Sequence, residues 1–164
     1  MKLLTNTQIA QKINRLAIEI LEHNYTEKAI VLAGINNNGL GFAKLIKRAI
    51  NKISEVEITL ANISLNPAKP TKDDVSIDLP DTELKNKVVI IVDDVANTGR
   101  TIFYAFKPFL DILTKKVEVV VLVDRKHKSF PIKVDYVGLS LATTLQDNIK
   151  VNLGLVKERE VCLE

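Results

Sequence analysis

The chain has 164 residues, of which 46% are hydrophobic, so it can bury one well-packed core and is too short for two domains of ordinary size. Its formal net charge is only +3 and its basic residues are spread along the sequence, so charge alone neither requires nor excludes a nucleic-acid partner. One cysteine, Cys162, cannot form an internal disulfide, and no apolar run approaches a membrane span; we therefore predict a single domain over residues 1–164, no membrane contact and a cytoplasmic location.

The first part of the chain alternates helical and strand patterns. Thr5-x-x-Gln8 matches a capping box, and the apolar residues that follow recur at helical spacing, which predicts a helix over residues 6–23. The pattern then predicts a buried strand, a second helix and another strand, over residues 29–35, 40–52 and 56–65.

Residues 66–82 interrupt this alternation. They contain three prolines and several charged residues without either periodicity, which predicts a long flexible loop of the kind that often forms an active-site lid. Strand patterns resume near residues 87–92, 117–123, 134–138 and 149–153. The alternation as a whole predicts an α/β fold with a central, mostly parallel sheet flanked by helices.

The most informative stretch covers residues 89–101. An apolar run typical of a strand buried on both faces leads into two adjacent carboxylates, Asp93 and Asp94, and then into a small polar turn. A helical pattern follows, with apolar residues at positions 102, 103, 106, 109 and 110. Backbone N–H groups and the helix dipole at such a junction favour phosphate, and carboxylates accept hydrogen bonds from sugar hydroxyls. The stretch therefore indicates a site for a phosphorylated ribose, the alternative being an ordinary turn whose acids are solvated.

A second polar turn covers residues 35–39. Gly34 and Gly39 have the spacing of a P-loop, but Leu40 and Gly41 occupy the positions of its lysine and hydroxyl residue, so a nucleoside triphosphatase is disfavoured. The third glycine of a dinucleotide-binding fingerprint is also missing. Asparagine tolerates left-handed backbone and offers amide donors, so the turn suits an anion, although an asparagine-rich turn without a ligand fits as well.

The sequence of residues 89–101 resembles the phosphoribosyl pyrophosphate motif of the type I phosphoribosyltransferases. Residues 121–138 resemble the corresponding segment of the bacterial pyrimidine-operon attenuators that double as uracil phosphoribosyltransferases. The resemblance extends roughly over residues 3–153, is strong in these two motifs and is weak between residues 64 and 80.

This resemblance implies the type I phosphoribosyltransferase fold with a flexible lid. It also implies transfer of ribose 5-phosphate from phosphoribosyl pyrophosphate to a nucleobase, uracil by the nearest motif, in nucleotide salvage and pyrimidine metabolism. Asp93 and Asp94 become the catalytic pair that holds the ribose. The 5′-phosphate and ribose are assigned to Val95, Ala96, Asn97, Thr98, Gly99, Arg100 and Thr101; the pyrophosphate to Ile35, Asn36, Asn37, Asn38 and Gly39; the base to Arg125, Lys133 and Tyr136. For Tyr136, stacking on the base and plain core packing both stay open.

The family resemblance further implies Mg²⁺ held through the substrate, with no direct protein ligand, nucleoside monophosphate as a second ligand, and a homodimer. One departure concerns the pyrophosphate turn, where the attenuators usually carry lysine and arginine and this chain has Asn36, Asn37 and Asn38. Charge-assisted hydrogen bonds are stronger than neutral ones, so pyrophosphate binding should be weaker unless Mg²⁺ or a lid lysine, Lys69 or Lys72, compensates.

Two other functions stay open. The chain resembles a family that binds RNA, so a nucleotide-sensing, RNA-binding attenuator with weak or no catalysis is one alternative; against it, Ile18 is apolar where the family places an RNA-contacting polar group. A sugar-phosphate hydrolase is the other, but it needs a water-activating group that the sequence does not reveal. Asn97 stands where purine-type relatives carry an aspartate, and an amide cannot act as that base, which disfavours a purine substrate.

Overall fold

The computed structural model describes residues 1–142, 147–154 and 158–164. Its elements in chain order are β1 (Lys2–Leu4), α1 (Asn6–His23), β2 (Ala29–Ile35), α2 (Asn36–Asn51), β3 (Glu57–Ser64), β4 (Ser76–Ile77), α3 (Asp81–Leu84), β5 (Val88–Ala96), α4 (Arg100–Ala105), a 3-10 turn (Lys107–Phe109), β6 (Lys116–Arg125), β7 (Tyr136–Leu141), β8 (Ile149–Asn152) and β9 (Glu160–Leu163).

Six strands form the main sheet in the order β4-β3-β2-β5-β6-β7. All neighbouring pairs are parallel except β3 and β4, which are antiparallel, so the predicted α/β fold with a mostly parallel sheet is confirmed. The strands that follow β2 in the chain, β3 and β4, lie on one side of it, whereas β5, β6 and β7 lie on its other side. The strand order therefore reverses between β2 and β5. In open α/β sheets the crevice at the carboxyl end of such a pair is where ligands bind.

The central strands are buried on both faces, as their continuous apolar runs predict. Ile30 and Leu32 of β2 pack into a core beneath α1 and α2, whereas Val31 and Ala33 pack into a second core on the opposite face with α4. The strand β5 alternates in the same way, with Ile90 in the first core and Ile91 in the second. Two layers of helix therefore hold the β2–β5 pair rigidly in the middle of the sheet.

Local signals locate several elements well. The helix predicted over 6–23 and the strand predicted over 29–35 match α1 and β2, and the capping box forms: the Thr5 hydroxyl oxygen accepts from the Gln8 N–H at 3.3 Å, and Gln8 Oε1 accepts from the Thr5 N–H at 2.9 Å.

The apolar pattern after residue 101 does not give one long helix. Pro108 follows α4 and cannot donate a backbone hydrogen bond, and the chain continues as a 3-10 turn.

A second, small sheet was not predicted. It has the order β1-β9-β8, with antiparallel pairing that joins the two ends of the chain: the N–H of Leu163 donates to the carbonyl of Met1 at 2.8 Å. Its strand β8 matches the strand predicted near residues 149–153, whereas β1 and β9, of three and four residues, are too short for a periodicity to be read.

Tyr136 belongs to the core, so its predicted role as a stacking surface for a base is wrong. It is the first residue of β7, and its side chain lies in the core beneath α1, where the hydroxyl lies 3.3 Å from Nδ2 of Asn24 just after α1. Its side chain is buried, with 1% of the residue exposed, and its hydroxyl lies 2.9 Å from both carboxylate oxygens of Glu118. Burial, with the neighbouring Glu118 carboxylate, raises the pKa of the Tyr136 hydroxyl.

Replacing Tyr136 by phenylalanine tests this assignment. Removing a hydroxyl that donates to a charged carboxylate should lower the free energy of unfolding by about 1.5–3 kcal/mol in urea denaturation. Tyr25, which is 83% exposed, provides the control, because Tyr25→Phe should change stability by no more than about 0.5 kcal/mol. Equal stabilities for the two variants would contradict the core assignment.

Candidate active site

The acid pair lies inside a strand and not after it. The strand β5 continues to Ala96, four residues beyond the predicted end, because its partner β6 runs to Arg125 and the pairing is maintained through Asp93, Val95 and Ala96. The carboxylates are consequently held by a hydrogen-bonded ladder at the carboxyl end of the central strand.

Asp93 and Asp94 are adjacent and shielded from water. Only 8% of Asp93 is exposed, its Oδ1 accepts from the N–H of Asp94 at 2.9 Å, and Oδ1 of Asp94 accepts from the N–H of Val95 at 2.8 Å. Burial raises the pKa of Asp93 well above its usual range, and the charge of Asp94 adds to the effect. Burial also raises the pKa of Asp94, while a hydrogen bond from the side chain of Asn38 opposes that rise. The free protein thus holds two carboxyl groups whose ionised form is disfavoured until a cationic or hydrogen-bonding ligand arrives.

The turn after β5 supplies a hollow of about 50 Å³. It is lined by residues 95–99 together with Thr101 and Ile102, at the amino end of α4. Gly99 has φ of 85°, and a Cβ atom placed there would lie 2.7 Å from Cγ1 of Ile132. Only glycine suits this position for both reasons, so the backbone of the turn is fixed by the fold before any ligand binds.

The helix α2 begins at Asn36, so the prediction that residues 36–39 form a turn before a helix starting at residue 40 is wrong. The cause is a tertiary contact: a Cβ atom on Gly39 would lie 2.4 Å from the carbonyl oxygen of Val92, so glycine lets α2 pack directly against β5. The three asparagines therefore form the first turn of the helix, beside the acid pair. No side chain caps this helix, and its amino end brings unpaired N–H groups to that place.

Three predicted segments meet around one cavity of about 320 Å³ next to that hollow. Its lining residues are Ile35, Asn36, Asn37, Asn38, Pro67, Asp93, Asp94 and Thr101. Thr101 lines both spaces, so they adjoin. Gly39 acts through packing and does not line the cavity.

The lid segment contributes Pro67, which the sequence did not single out. Nη2 of Arg100 donates to the carbonyl oxygen of Pro67 at 2.7 Å, which ties the lid to the turn after β5. Residues 66–82 are not wholly irregular, because they include β4 and the start of α3. Lys69 and Lys72 do not line the cavity.

The residues assigned to the base lie in different surroundings. Nη1 of Arg125 donates to Oδ1 of Asn97 at 3.3 Å, at the carboxyl edge of the sheet and beside the turn. Lys133 has 87% of its side chain exposed and its ammonium lies 3.6 Å from the carboxylate of Asp135. Arg125 and Asn97 are therefore at the site, whereas Lys133 is held at the surface.

The loop after β6 covers the turn, a contact that the sequence analysis missed. The N–H groups of Ser129 and Phe130 donate to the carbonyl of Thr98 at 2.9 and 3.2 Å. Nζ of Lys128 contacts Oδ1 of Asp124 at 2.6 Å and also donates to the carbonyl of Arg125. The spacing of Asp124 and Lys128 is the one signal that could have indicated this bridge.

Within the described ranges 1–142, 147–154 and 158–164, no helix is both long and apolar enough to cross a membrane. No group of three or more histidine, cysteine, aspartate or glutamate residues in the same ranges could hold a metal ion.

Comparison with known proteins agrees with this arrangement. Residues 2–156 match the model of the phosphoribosyl transferase domain. Curated relatives include the bifunctional protein PyrR of Alkaliphilus metalliredigens, 34% identical over 165 residues, which cover 96% of this chain and 91% of the relative. The bifunctional protein PyrR of Fusobacterium nucleatum is 36% identical in a 169-residue alignment that covers 96% of this chain and 93% of the relative.

Solved structures show the same fold. The hypoxanthine phosphoribosyltransferase of Trypanosoma cruzi superposes with a TM-score of 0.78 at 18% identity, over 99% of this chain and 95% of that one. A hypoxanthine-guanine phosphoribosyltransferase of Bacillus anthracis gives 0.73 at 23% identity, over 85% of this chain and 81% of that one. The chain belongs to the type I phosphoribosyltransferase family, in the group of the bifunctional PyrR proteins.

Proposed function

We propose that this phosphoribosyltransferase transfers ribose 5-phosphate from phosphoribosyl pyrophosphate to uracil and releases pyrophosphate. The observation that carries the proposal is the meeting of the acid pair, the first turn of α2 and Thr101 around one cavity. A sugar bearing phosphate at one end and pyrophosphate at the other matches the two adjoining spaces. Similarity to the PyrR proteins supports a role related to pyrimidines. Nucleotide salvage, a homodimer, a single domain and a cytoplasmic location stay predictions.

The 5′-phosphate is assigned to the hollow after β5. Backbone N–H groups of residues 97–99 and Thr101, with the hydroxyls of Thr98 and Thr101, are the donors that line it. The N–H of Arg100 donates to the Thr98 hydroxyl oxygen at 3.4 Å. Arg100 carries a positive charge on the same turn, although its guanidinium is bonded to the lid. This fixed set of donors suits a phosphate monoester, which needs no movement of the turn to bind.

The acid pair is assigned to the ribose. Asp93 and Asp94 accept hydrogen bonds from its two hydroxyls, and their negative charge favours the positive charge that develops on the anomeric carbon as pyrophosphate leaves. Burial raises the pKa of both carboxyl groups in the free protein, so their ionised form is unfavourable there. The positive charge of the cation-like sugar compensates for this cost when it forms. The base nitrogen attacks from the side of Asn97 and Arg125, and Pro67 excludes water from the pyrophosphate side.

Magnesium fits the site as a partner of the substrate. The donors present are the two carboxylates and the oxygens that the sugar and pyrophosphate bring, and Mg²⁺ prefers such oxygen ligands. When bound, it neutralises the leaving pyrophosphate.

Pyrophosphate release tests the proposal directly. We expect release that requires uracil and Mg²⁺, with one uridine monophosphate formed for each pyrophosphate. Hypoxanthine and guanine should give much less, because the amide of Asn97 cannot take a proton from the base. Pyrophosphate release that does not depend on any base would contradict a transferase and favour hydrolysis.

A second function, RNA binding, is favoured by one surface. Four basic residues lie within nine positions on the second half of α2 and just after it: Lys44, Lys47, Arg48 and Lys52 line a groove of about 540 Å³ with Asn51 and Leu60. None of the described residues that line this groove is acidic. Ile18, in contrast, leaves 47% of an apolar residue exposed on α1, where the PyrR-type attenuators are expected to contact RNA. The α2 groove is therefore the surface that would bind a phosphate backbone.

Charge reversal tests the RNA-binding alternative. In gel shifts with leader-type RNA, Lys47→Glu/Arg48→Glu should weaken binding and lower the salt slope by about 0.7 per lost phosphate contact. The control, Lys85→Glu/Lys87→Glu, changes the net charge equally on another part of the molecule. Equal losses in the two doubles would mean that total charge, and not the groove, attracts RNA.

Asp93→Asn should separate binding from stability. Replacing a carboxylate that is charged in the complex by a neutral amide should weaken uridine monophosphate binding at least tenfold, since hydrogen bonds to charged groups contribute about 1.5–3 kcal/mol. The same change should raise the free energy of unfolding at neutral pH. Because the pKa of Asp93 is raised in the folded protein, its contribution to the free energy of unfolding is fully present below the unfolded pKa and is lost as pH rises through the folded pKa. Asparagine carries no charge, so it avoids this loss at neutral pH. Calorimetry and urea denaturation measure the two effects, and weaker binding together with lower stability would contradict the assignment.

The neutral first turn of α2 predicts that pyrophosphate is held weakly. Restoring a cation with Asn37→Lys should therefore raise affinity for phosphoribosyl pyrophosphate about tenfold or more and leave that for uridine monophosphate nearly unchanged. Asn36 is unsuitable for this test because its side chain bonds to Leu65. The matched control, Asn51→Lys, adds the same charge at the other end of the same helix. Equal gains with the two lysines would mean that total charge, and not the first turn, decides affinity. No gain with either would mean that Mg²⁺ already supplies the needed charge.

A further inference from the structure

One asparagine side chain joins the first turn of α2 to the root of the lid. Nδ2 of Asn36 donates to the carbonyl oxygen of Leu65 at 2.9 Å, and Oδ1 of Asn36 accepts from the N–H of Leu65 at 3.1 Å. The regular pairing of β2 with β3 ends at Ile35 and Ile63. The amide of Asn36 extends this connection beyond the sheet, because a side-chain amide can replace a backbone peptide as donor and acceptor.

A second asparagine fixes the same place from β3. Nδ2 of Asn62 donates to the carbonyl oxygens of Gly34 and Asn36, at 3.0 and 2.9 Å. Asn36 has φ of 51°, in the left-handed region that asparagine adopts more readily than other residues with a side chain. Asn62 therefore holds the carbonyls on both sides of this unusual backbone at the junction of β2 and α2.

The far end of the lid returns to the same strand. The N–H of Asn62 donates to Oδ1 of Asp78 at 2.7 Å, and the N–H of Asp78 donates to the carbonyl of Asn62 at 3.2 Å. The strand β4 pairs alongside, with Ile63 opposite Ile77. Both ends of the lid are thus attached close to Asn36 in space, one end through Leu65 and the other through Asp78 and Asn62.

The position of the lid root decides what covers the cavity. Pro67, two residues beyond Leu65, lines the cavity, and its carbonyl is also bonded to Arg100. The same Asn36 begins the helix whose first turn lines another part of the cavity. A change at Asn36 therefore reaches two walls of the site at once.

We propose that Asn36 and Asn62 are positioning residues, which together form an amide joint that holds the lid over the cavity and orients the first turn of α2 toward it. The assignment of that cavity to pyrophosphate rests on the proposed function. The joint itself is a property of the unliganded protein. On this account Asn36 does not serve as a neutral substitute for a ligand-binding cation, because its amide is used to hold the lid.

The variant Asn36→Gly isolates the joint. Glycine accepts φ of 51° without strain, so only the two side-chain hydrogen bonds to Leu65 are lost. Asn37→Gly is the matched control, since it places the same glycine at the next position of the same turn. Two readouts on the unliganded protein report the lid: hydrogen exchange of the Leu65 amide, and tryptic cleavage after Lys72. Lys69 is followed by Pro70 and is not a useful tryptic site.

We expect both rates to rise about fivefold to thirtyfold in Asn36→Gly and to stay within about twofold of the parent protein in Asn37→Gly. The KM for phosphoribosyl pyrophosphate should rise in Asn36→Gly by a larger factor than the KM for the base. Unchanged lid rates in Asn36→Gly, or equal increases in both variants, would overturn the joint. If Asn36→Gly does not fold, Asn36→Asp takes its place with the same expectations, because it keeps the acceptor and loses the donor.

The experiments distinguish failure of the amide joint from failure of the proposed function. Faster exchange and cleavage in a protein that transfers no phosphoribosyl group would retain the joint and reject the function. Normal lid rates in an active Asn36→Gly enzyme would retain the function and reject the joint.

Discussion

Two neighbouring carboxylates are kept out of water at the end of the central strand, and the rest of the site is arranged around that constraint. Burial raises the pKa of both Asp93 and Asp94, so their ionised form is disfavoured in the free protein. The sheet can hold them because β5 is paired on both sides, with β2 and β6, and lies between two packed helical layers. A structural role would be served better by an apolar pair, so the arrangement is understandable as one that a ligand completes.

The place of this pair follows from topology. Strand order reverses between β2 and β5, which opens the crevice, and Gly39 lets α2 approach β5 closely enough to bring its amino end beside the carboxylates. On the other side, Gly99 permits the backbone of the turn that precedes α4. Two glycines at close approaches therefore set the distance between the two anion-facing ends of the site. The asparagines between them divide their roles, since the side chain of Asn36 bonds to the lid whereas that of Asn38 counteracts the rise in the pKa of Asp94.

Sequence analysis located the fold and the segments of the site, and its errors have physical causes. α1 and β2 were predicted to the residue because a capping box and a continuous apolar run are local signals. The start of α2 was placed four residues late, since Asn36 begins the helix with left-handed backbone and without a side-chain cap, and a tertiary contact at Gly39 decides the outcome. Tyr136 lies in a motif associated with the base, yet its side chain packs in the core beneath α1, where its hydroxyl meets Glu118 and Asn24. Pro67 reaches the site through a contact between the lid and the turn, and Ser129 and Phe130 bond to the turn from the loop after β6; no periodicity reports such contacts.

The central claim is that the turn from Asn97 to Thr101 holds a phosphate monoester and so anchors the nucleotide. Calorimetry with uridine monophosphate and with uridine, in the same buffer and with Mg²⁺, tests it most directly because the two ligands differ only in that phosphate. Two or more charge-assisted hydrogen bonds predict that the monophosphate binds at least about a hundredfold more tightly than the nucleoside. Equal dissociation constants for the two ligands would contradict the account.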